Sequence, residues 1–188
     1  YPAKNLGAAG DGGMIVTHNG KLAQQARKLC NYGEVVKYEH VVKGFNARLD
    51  TLQAAILNVK LPRLDGWNQM RAQNARRYHE KLSKIPEIGL QTALPDRTPV
   101  YHLFIIQVAR RDALRQFLQD RGVETGIHYP TPIHLQPADA DHGWKKGDFP
   151  AAEELASRAV SLPMFPELTA EQIDYVCAQI DEFVKARA

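Results

Sequence analysis

Three short stretches of this sequence hold residue types that could do chemistry. The first, YPAKNLGAAGDGG, sets Lys4 in a loop of small residues, behind Pro2 and ahead of Gly7, Gly10, Gly12 and Gly13. A lysine amine attacks a carbonyl only when partial burial keeps part of it neutral. The glycines would let a flat ligand come close to the backbone. On spacing alone the plainer reading, a solvated lysine before a glycine turn, is the better supported. The second stretch, GFNARLD, offers Asn46 as an amide donor to an anion and Arg48 as a fork for a carboxylate or phosphate. It reads equally as a helix entry with Asp50 as the cap, and both can hold. The third, GIHYPTPIH, carries His128 and His134 on a proline-rich loop. With no cysteine or acidic cluster beside them they make a poor metal site. Contact with a substrate and a structural role are about equally supported for this pair. No Gly-x-Ser-x-Gly, His-Glu-x-x-His or Walker-type motif is present.

These residues must be held by elements. Met14–Thr17 reads as a short strand between turn residues, and residues 20–33 as a helix with Leu22, Ala26 and Leu29 on its inner face, stopped at Gly33. Residues 34–50 lack periodicity and read as a loop or irregular hairpin. Asp50 opens a helix, with Gln53 in capping-box position, and the apolar run LQAAILNVKL predicts burial on most sides. Pro62 must kink or restart this helix, because proline has no N–H to donate. The helix then continues to about Ile85, with Trp67, Met70, Tyr78 and Leu82 along one side. Residues 86–99 read as a connector.

From Val100 the pattern becomes α/β. VYHLFIIQV predicts a strand over 100–108, followed by a helix with Leu114, Phe117 and Leu118 inward and Gly122 as its stop. VETGIHYP predicts a second strand, residues 131–150 a loop, and AAEELASRAVSLPM a helix running into a strand. The last helix starts at a Thr169/Gln172 capping box and buries Ile173, Val176, Cys177 and Ile180.

Bulk properties exclude several classes. The 188 residues suffice for one large domain or two small ones. A net charge of +3 without any block of like charge argues against nucleic-acid binding. No segment has the length of a membrane span, and no signal peptide is visible. Cys30 and Cys177 lie far apart in helix-like stretches and read as buried free thiols in a reducing compartment, which makes the cytoplasm the expected location.

Taken together, YPAKNLGAAGDGG, KGFNARLDTLQAAIL, VYHLFIIQV, TGIHYPTPIHLQPA, GDFPAAEELASRAVSLPMFPELT and QIDYV resemble the DegT/DnrJ/EryC1/StrS sugar aminotransferases, in the family order and over essentially the whole chain. The resemblance implies a fold-type-I enzyme dependent on pyridoxal 5'-phosphate. It implies that Lys4 forms the Schiff base with the cofactor and acts as the acid/base. Asn46 matches the residue that reaches the cofactor phosphate of the neighbouring subunit, which implies a homodimer with shared active sites. Arg48, His128 and Tyr129 match positions near the substrate pocket. The implied reaction moves an amino group from glutamate to a nucleotide-linked keto-sugar, in amino-sugar and cell-surface polysaccharide biosynthesis, with no metal. A related sugar dehydratase replaces the lysine with histidine, which Lys4 argues against. A non-catalytic regulatory protein built from a half-fold is the rival from another class. Family members are roughly twice as long, so the chain resembles a C-terminal half. The implied fold is α/β: residues 1–48 as the end of the large mixed-sheet domain, 49–85 as kinked connecting helices, and 86–188 as a small α/β domain with a mainly antiparallel sheet.

Overall fold

Asn19 starts the first helix. Its Oδ1 accepts from the amides of Lys21 and Leu22 at 3.0 and 3.2 Å, two of the donors a helix start leaves without partners. The computed structural model describes residues 1–186, which fall into two units, Tyr1–Asp65 and Gly66 onward. The division lies inside the stretch expected to form connecting helices.

The first unit holds α1 (Gly20–Cys30), an antiparallel hairpin of β1 (Glu34–Val36) and β2 (Glu39–His40), and α2 (Thr51–Lys60). The hairpin register slips between Glu34 and Val36, as the irregular pattern of 34–50 predicts. At Pro62 the helix breaks into a 3-10 turn, Leu61–Arg63, before α3 (Leu64–Leu82). The loss of one backbone donor is absorbed there.

Four expectations fail in this unit. Met14–Thr17 forms no strand, and Met14, Ile15 and Val16 are exposed. A strand exists only through a ladder, and residues 1–65 pair their extended segments in the β1–β2 hairpin and at an isolated bridge between Asn31 and Asn46. Leu22 on α1 is exposed, while Ala26 and Leu29 are half-buried. Asp50 occupies the N-cap position of α2, but its side chain makes no capping bond, and the Gln53 side chain lies against Gly10. The apolar run of α2 is not buried on most sides, and Leu52 and Val59 are largely exposed. Within this unit only Gly7, Ala8 and Gly33 are buried, so it has no apolar core of its own.

The second unit contains the core. A three-stranded antiparallel sheet runs in the order β3 (Gly89–Leu90), β4 (Phe104–Gln107), β5 (Ala159–Leu162). Around it stand α3, α4 (Arg111–Gln119), α5 (Pro150–Arg158) and α6 (Ala170–Lys185). On β4, Phe104 and Ile106 point into the core while Ile105 and Gln107 do not, the period-two alternation of a half-buried strand. Leu114 and Leu118 of α4 and Ile173, Val176, Cys177 and Ile180 of α6 join them, as their spacing predicts. Phe183 extends the α6 stripe by one turn, and Phe117 packs partly buried. Gly122, at φ +75°, ends α4, while the Val123 amide donates to Leu118 O at 2.9 Å. The Thr169/Gln172 capping box forms in full, at 3.3 and 2.9 Å.

Three boundaries in this unit differ from expectation. α3 ends at Leu82 rather than Ile85, and its buried face is Arg71, Ala75, Tyr78 and Leu82, with Met70 partly exposed. The strand expected over 100–108 begins only at Phe104, because Tyr101 sits at φ +44°, outside extended backbone. The expected second strand, residues 123–130, is one bridge, Gly126 with Ser161, at 3.0 and 2.9 Å. The His128 ring folds back over Gly126, and its Nδ1 meets Ser161 Oγ at 2.8 Å. The ladder thus stops after one residue, yet the free edge of β5 is covered there.

An ion pair on the surface of this unit yields a pH prediction. Arg77 grips Asp174 with two bonds of 2.6 and 2.7 Å, and Lys81 adds a third contact at 3.1 Å. The Arg77 hydrogen bonds, ahead of Lys81, hold the Asp174 carboxyl down at about 2. A carboxyl depressed in the folded state stabilises above its unfolded value of about 3.9 and loses that contribution as pH falls through its folded value. Asp174→Asn is therefore expected to lower the urea midpoint at pH 7. The gap to the wild type should narrow below about pH 4 and close near pH 2 in a pH series of urea melts.

Candidate functional site

The sequence-derived residues fall in both units. Lys4, Asn46 and Arg48 belong to the first, His128 and Tyr129 to the second.

The Lys4 loop is fastened at its base. The Lys4 amide donates to Tyr1 O at 3.2 Å, closing a tight turn. A Cβ at Gly7 would overlap the Pro2 carbonyl, so only glycine fits there. The Lys60 ammonium, from the end of α2, donates to the Gly7 carbonyl. A Cβ on Gly10 would meet Gln53 Nε2 at 3.1 Å, and one on Gly12 would meet Leu49 Cδ1 at 3.1 Å. These glycines therefore serve close packing on the chain itself. Gln53 Oε1 is buried beside them without a hydrogen-bond partner. The Lys4 side chain is exposed at the head of the loop, so the partial burial expected of a reactive lysine is not met within these residues.

Asn46 and Arg48 are brought together by the end of α1. The backbone of 45–47 runs beside residues 29–32: Phe45 N donates to Leu29 O at 2.7 Å and Ala47 N to Cys30 O at 2.9 Å. Asn46 bridges to Asn31. The approach is possible because Gly33 adopts φ +76° and a Cβ on Gly44 would overlap the Gly33 amide. Arg48 Nη1 donates to Asn31 Oδ1 at 2.8 Å, and its guanidinium lies 5.0 Å from the Tyr32 ring centroid. Asn31 in turn donates to Glu34 Oε2 at 2.7 Å. Asn31, Tyr32 and Glu34 thus position Arg48, a role that single-residue inspection of the sequence missed. A pairing seventeen residues apart has no periodic signature.

In the second unit, His128 and Tyr129 line a cleft of about 400 Å³ beside α5. Tyr129 is exposed, and its ring meets that of His128 edge-on at 5.3 Å. His134, paired with His128 in the sequence, is buried and takes a structural part. Its Nε2 lies 3.0 Å from Glu153 Oε1, the same oxygen that accepts the Gly147 amide at 2.7 Å. The Gly147 amide, then His134, hold the Glu153 carboxyl below the usual carboxylate range. Trp144, Phe149 and Glu153 were not singled out in the sequence. The available signal was Pro150 followed three residues later by Glu153, a helix start with an acid in its first turn.

Lys4 and Asn46 fit a phosphorylated aldehyde cofactor in chemical type: an accessible primary amine on a fastened glycine turn, and an exposed amide that can donate to phosphate. No helix among the described residues is long and apolar enough to cross a membrane.

The DegT/DnrJ/EryC1/StrS aminotransferase family matches residues 1–181. The chain is 50% identical over 180 residues to the erythromycin biosynthesis sensory transduction protein EryC1 of Saccharopolyspora erythraea, covering 96% of this chain and 49% of that one. It is 45% identical to the dTDP-3-amino-3,4,6-trideoxy-alpha-D-glucose transaminase of Streptomyces venezuelae, covering 98% and 49%. To the UDP-N-acetyl-3-dehydro-alpha-D-glucosamine 3-aminotransferase of Acidithiobacillus ferrooxidans it is 42% identical, covering 96% and 48%. The crystal structure of S. venezuelae DesV superposes with a TM-score of 0.94 at 45% identity, over 97% of this chain and 49% of that one. The chain spans about half the length of the curated relatives it matches. Its α/β fold is that of the aminotransferases, and the chain belongs to the DegT/DnrJ/EryC1/StrS aminotransferase family.

Proposed function

We propose that the full-length protein transfers an amino group, with glutamate as donor, to a keto-sugar carried on a pyrimidine nucleoside diphosphate. The observation that carries this reading is Lys4. In a family of named transaminases, it presents an accessible amine on a turn that only glycine at position 7 allows. The relatives named for dTDP- and UDP-sugars support the nucleotide class.

Lys4 and Asn46 would hold the cofactor, Lys4 by its amine and Asn46 at the phosphate of the neighbouring subunit in a homodimer. Pyridoxal phosphate, when bound, supplies the electron sink that stabilises negative charge on the reacting carbon. Lys4 Nζ moves the proton to and from that carbon. Its position on a short, fastened loop limits the arc it must sweep. Arg48, braced by Asn31 and Tyr32, offers a fixed guanidinium to a carboxylate or phosphate of the substrates. His128 and Tyr129 line the sugar-nucleotide side. The reaction serves amino-sugar and cell-surface polysaccharide biosynthesis in the cytoplasm.

The test is borohydride reduction of the full-length protein loaded with pyridoxal phosphate, followed by peptide mass analysis and assay with glutamate and dTDP- and UDP-keto-sugars. A pyridoxyl group on Lys4 and an aminated sugar product are expected. A second reading, a non-catalytic regulatory protein, draws on the name of the EryC1 relative. An unlabelled Lys4 with no aminated product would select it.

A further inference from the structure

We propose that Glu34 is a positioning residue for substrate binding: through the Asn31 side-chain amide it fixes the direction in which Arg48 presents its guanidinium to an anionic substrate group. The proposal rests on the transaminase reading above for what Arg48 meets. Glu34 Oε2 accepts from Asn31 Nδ2 at 2.7 Å, and Asn31 Oδ1 accepts from Arg48 Nη1 at 2.8 Å. A side-chain amide has one donating end and one accepting end. Turned over, it would set its carbonyl against the Glu34 carboxylate and its NH2 against a guanidinium, which accepts nothing. The carboxylate therefore decides which end of Asn31 faces Arg48. With Nη1 held there and the guanidinium over the Tyr32 ring, Nε and Nη2 make no protein hydrogen bond among the described residues and are left for a ligand.

The amide between the two charges separates this arrangement from a structural ion pair. Arg77 grips Asp174 directly with two bonds and so uses its charge within the fold. Arg48 takes its direction from a neutral oxygen, with the carboxylate one residue further on. Its positive charge stays available to an anion, while its orientation is already fixed before binding.

The same carboxylate is built into a strained turn. Glu34 Oε1 accepts from the Tyr38 amide at 2.6 Å, between β1 and β2. Tyr32 and Tyr38 lie at φ +57° and +73°, two of the three residues other than glycine with positive φ among the described residues. Such backbone is costly for a residue with a side chain, and it persists where its surroundings over-determine it. Glu34 holds Tyr38 directly. Tyr32 follows Asn31 in the chain, with its amide on Phe45 O at 2.8 Å and its carbonyl 3.1 Å from His40 Nδ1. The turn and the ring that carries Arg48 are thus fixed around one carboxylate.

The experiment uses the full-length, cofactor-loaded protein. Steady-state assays with glutamate and a dTDP-keto-sugar are paired with calorimetric titration of glutarate (a dicarboxylate with no amine to give) and of thymidine diphosphate. Glu34→Ala is expected to raise KM for one substrate about tenfold, to hold kcat within about twofold, and to weaken the matching probe by a similar factor. Weakened glutarate identifies a carboxylate as the group that Arg48 meets, and weakened thymidine diphosphate a phosphate. Asn31→Leu removes the amide at similar size and should give the same shift; it carries the test if Glu34→Ala fails to fold. In an Arg48→Ala background, Glu34→Ala should add nothing, the non-additivity of a residue that acts through another. Unchanged KM and probe affinity in Glu34→Ala overturn the relay. A full additional loss in the Arg48→Ala background overturns it too, as does a loss confined to kcat or to the thermal midpoint. A wild-type protein that binds the probes with this dependence on Glu34 but aminates no sugar leaves the relay standing and fails the transaminase reading.

Discussion

Lys4→Ala in the full-length protein is expected to lower the rate of amino transfer by about a thousandfold or more while leaving the thermal midpoint within about 1 °C of the wild type. The two halves of that expectation have separate physical origins. A positioned acid/base contributes about 10²–10⁴ in rate, and the loss of a covalent attachment point adds to it. The turn that carries it, by contrast, is held by groups that the substitution keeps. Lys4 is exposed, and the turn around it is held by the Lys4 backbone amide, by the Gly7–Pro2 approach and by Lys60. Lys4→Arg should be as inactive as Lys4→Ala, because a guanidinium stays protonated and cannot serve as nucleophile or base. Single-turnover kinetics with glutamate measure the rate, and a thermal melt measures the fold. Retained turnover in Lys4→Ala would remove Lys4 from the chemistry altogether.

The second large effect is on stability and lies at Arg71, on the buried face of α3. Arg71 is 7% exposed, and its Nη1 donates to three backbone carbonyls: Tyr101 at 3.1 Å, His102 at 3.3 Å and Met164 at 2.9 Å. These carbonyls belong to the approach to β4 and to the segment after β5, which meet at one end of the antiparallel pair where Phe104 faces Leu162, so one side chain ties α3 to both strands there. Burial pushes the guanidinium below its ordinary value, with Glu167 opposing, and the group remains a cation at any working pH. Arg71→Met keeps the stem and removes the donors, leaving three part-buried carbonyl oxygens without that partner. About 3 kcal/mol of destabilisation is expected, from the desolvation cost of unsatisfied buried groups. Arg71→Lys should recover only part of it, since the shorter lysine side chain does not reach the position from which Nη1 donates. Urea unfolding followed by circular dichroism measures both. A loss under about 0.5 kcal/mol for Arg71→Met would show that water replaces the side chain without cost.

What could be read in advance follows from the range of the forces. The Thr169/Gln172 box, the Gly122 stop and the α6 stripe are local: each depends on residues within a turn or two, and each formed as expected. The same local logic failed at Asp50, whose side chain makes no cap bond, while the Gln53 side chain lies against Gly10 about forty residues earlier. It failed again at 123–130, where one histidine folding back over Gly126 cut a ladder to a single bridge. The apolar run of α2 and the residues Met14–Thr17 carry patterns that call for burial and pairing, yet residues 1–65 supply neither a core nor a sheet for them.

For the site, the division is similar. The order of six short blocks determined the family from the sequence alone, and a lysine rather than a histidine at position 4 argues against a dehydratase within it, because both depend on residue identity along the chain. The bracing of Arg48 by Asn31 and Tyr32, the burial of His134 against Glu153, and the aromatic cleft at Trp144 and Phe149 were decided by the tertiary structure. Each joins groups with no fixed spacing, through hydrogen bonds and ring contacts that exist only once loops have been closed by packing elsewhere. Identity is written along one dimension, whereas orientation and burial are properties of neighbours in three.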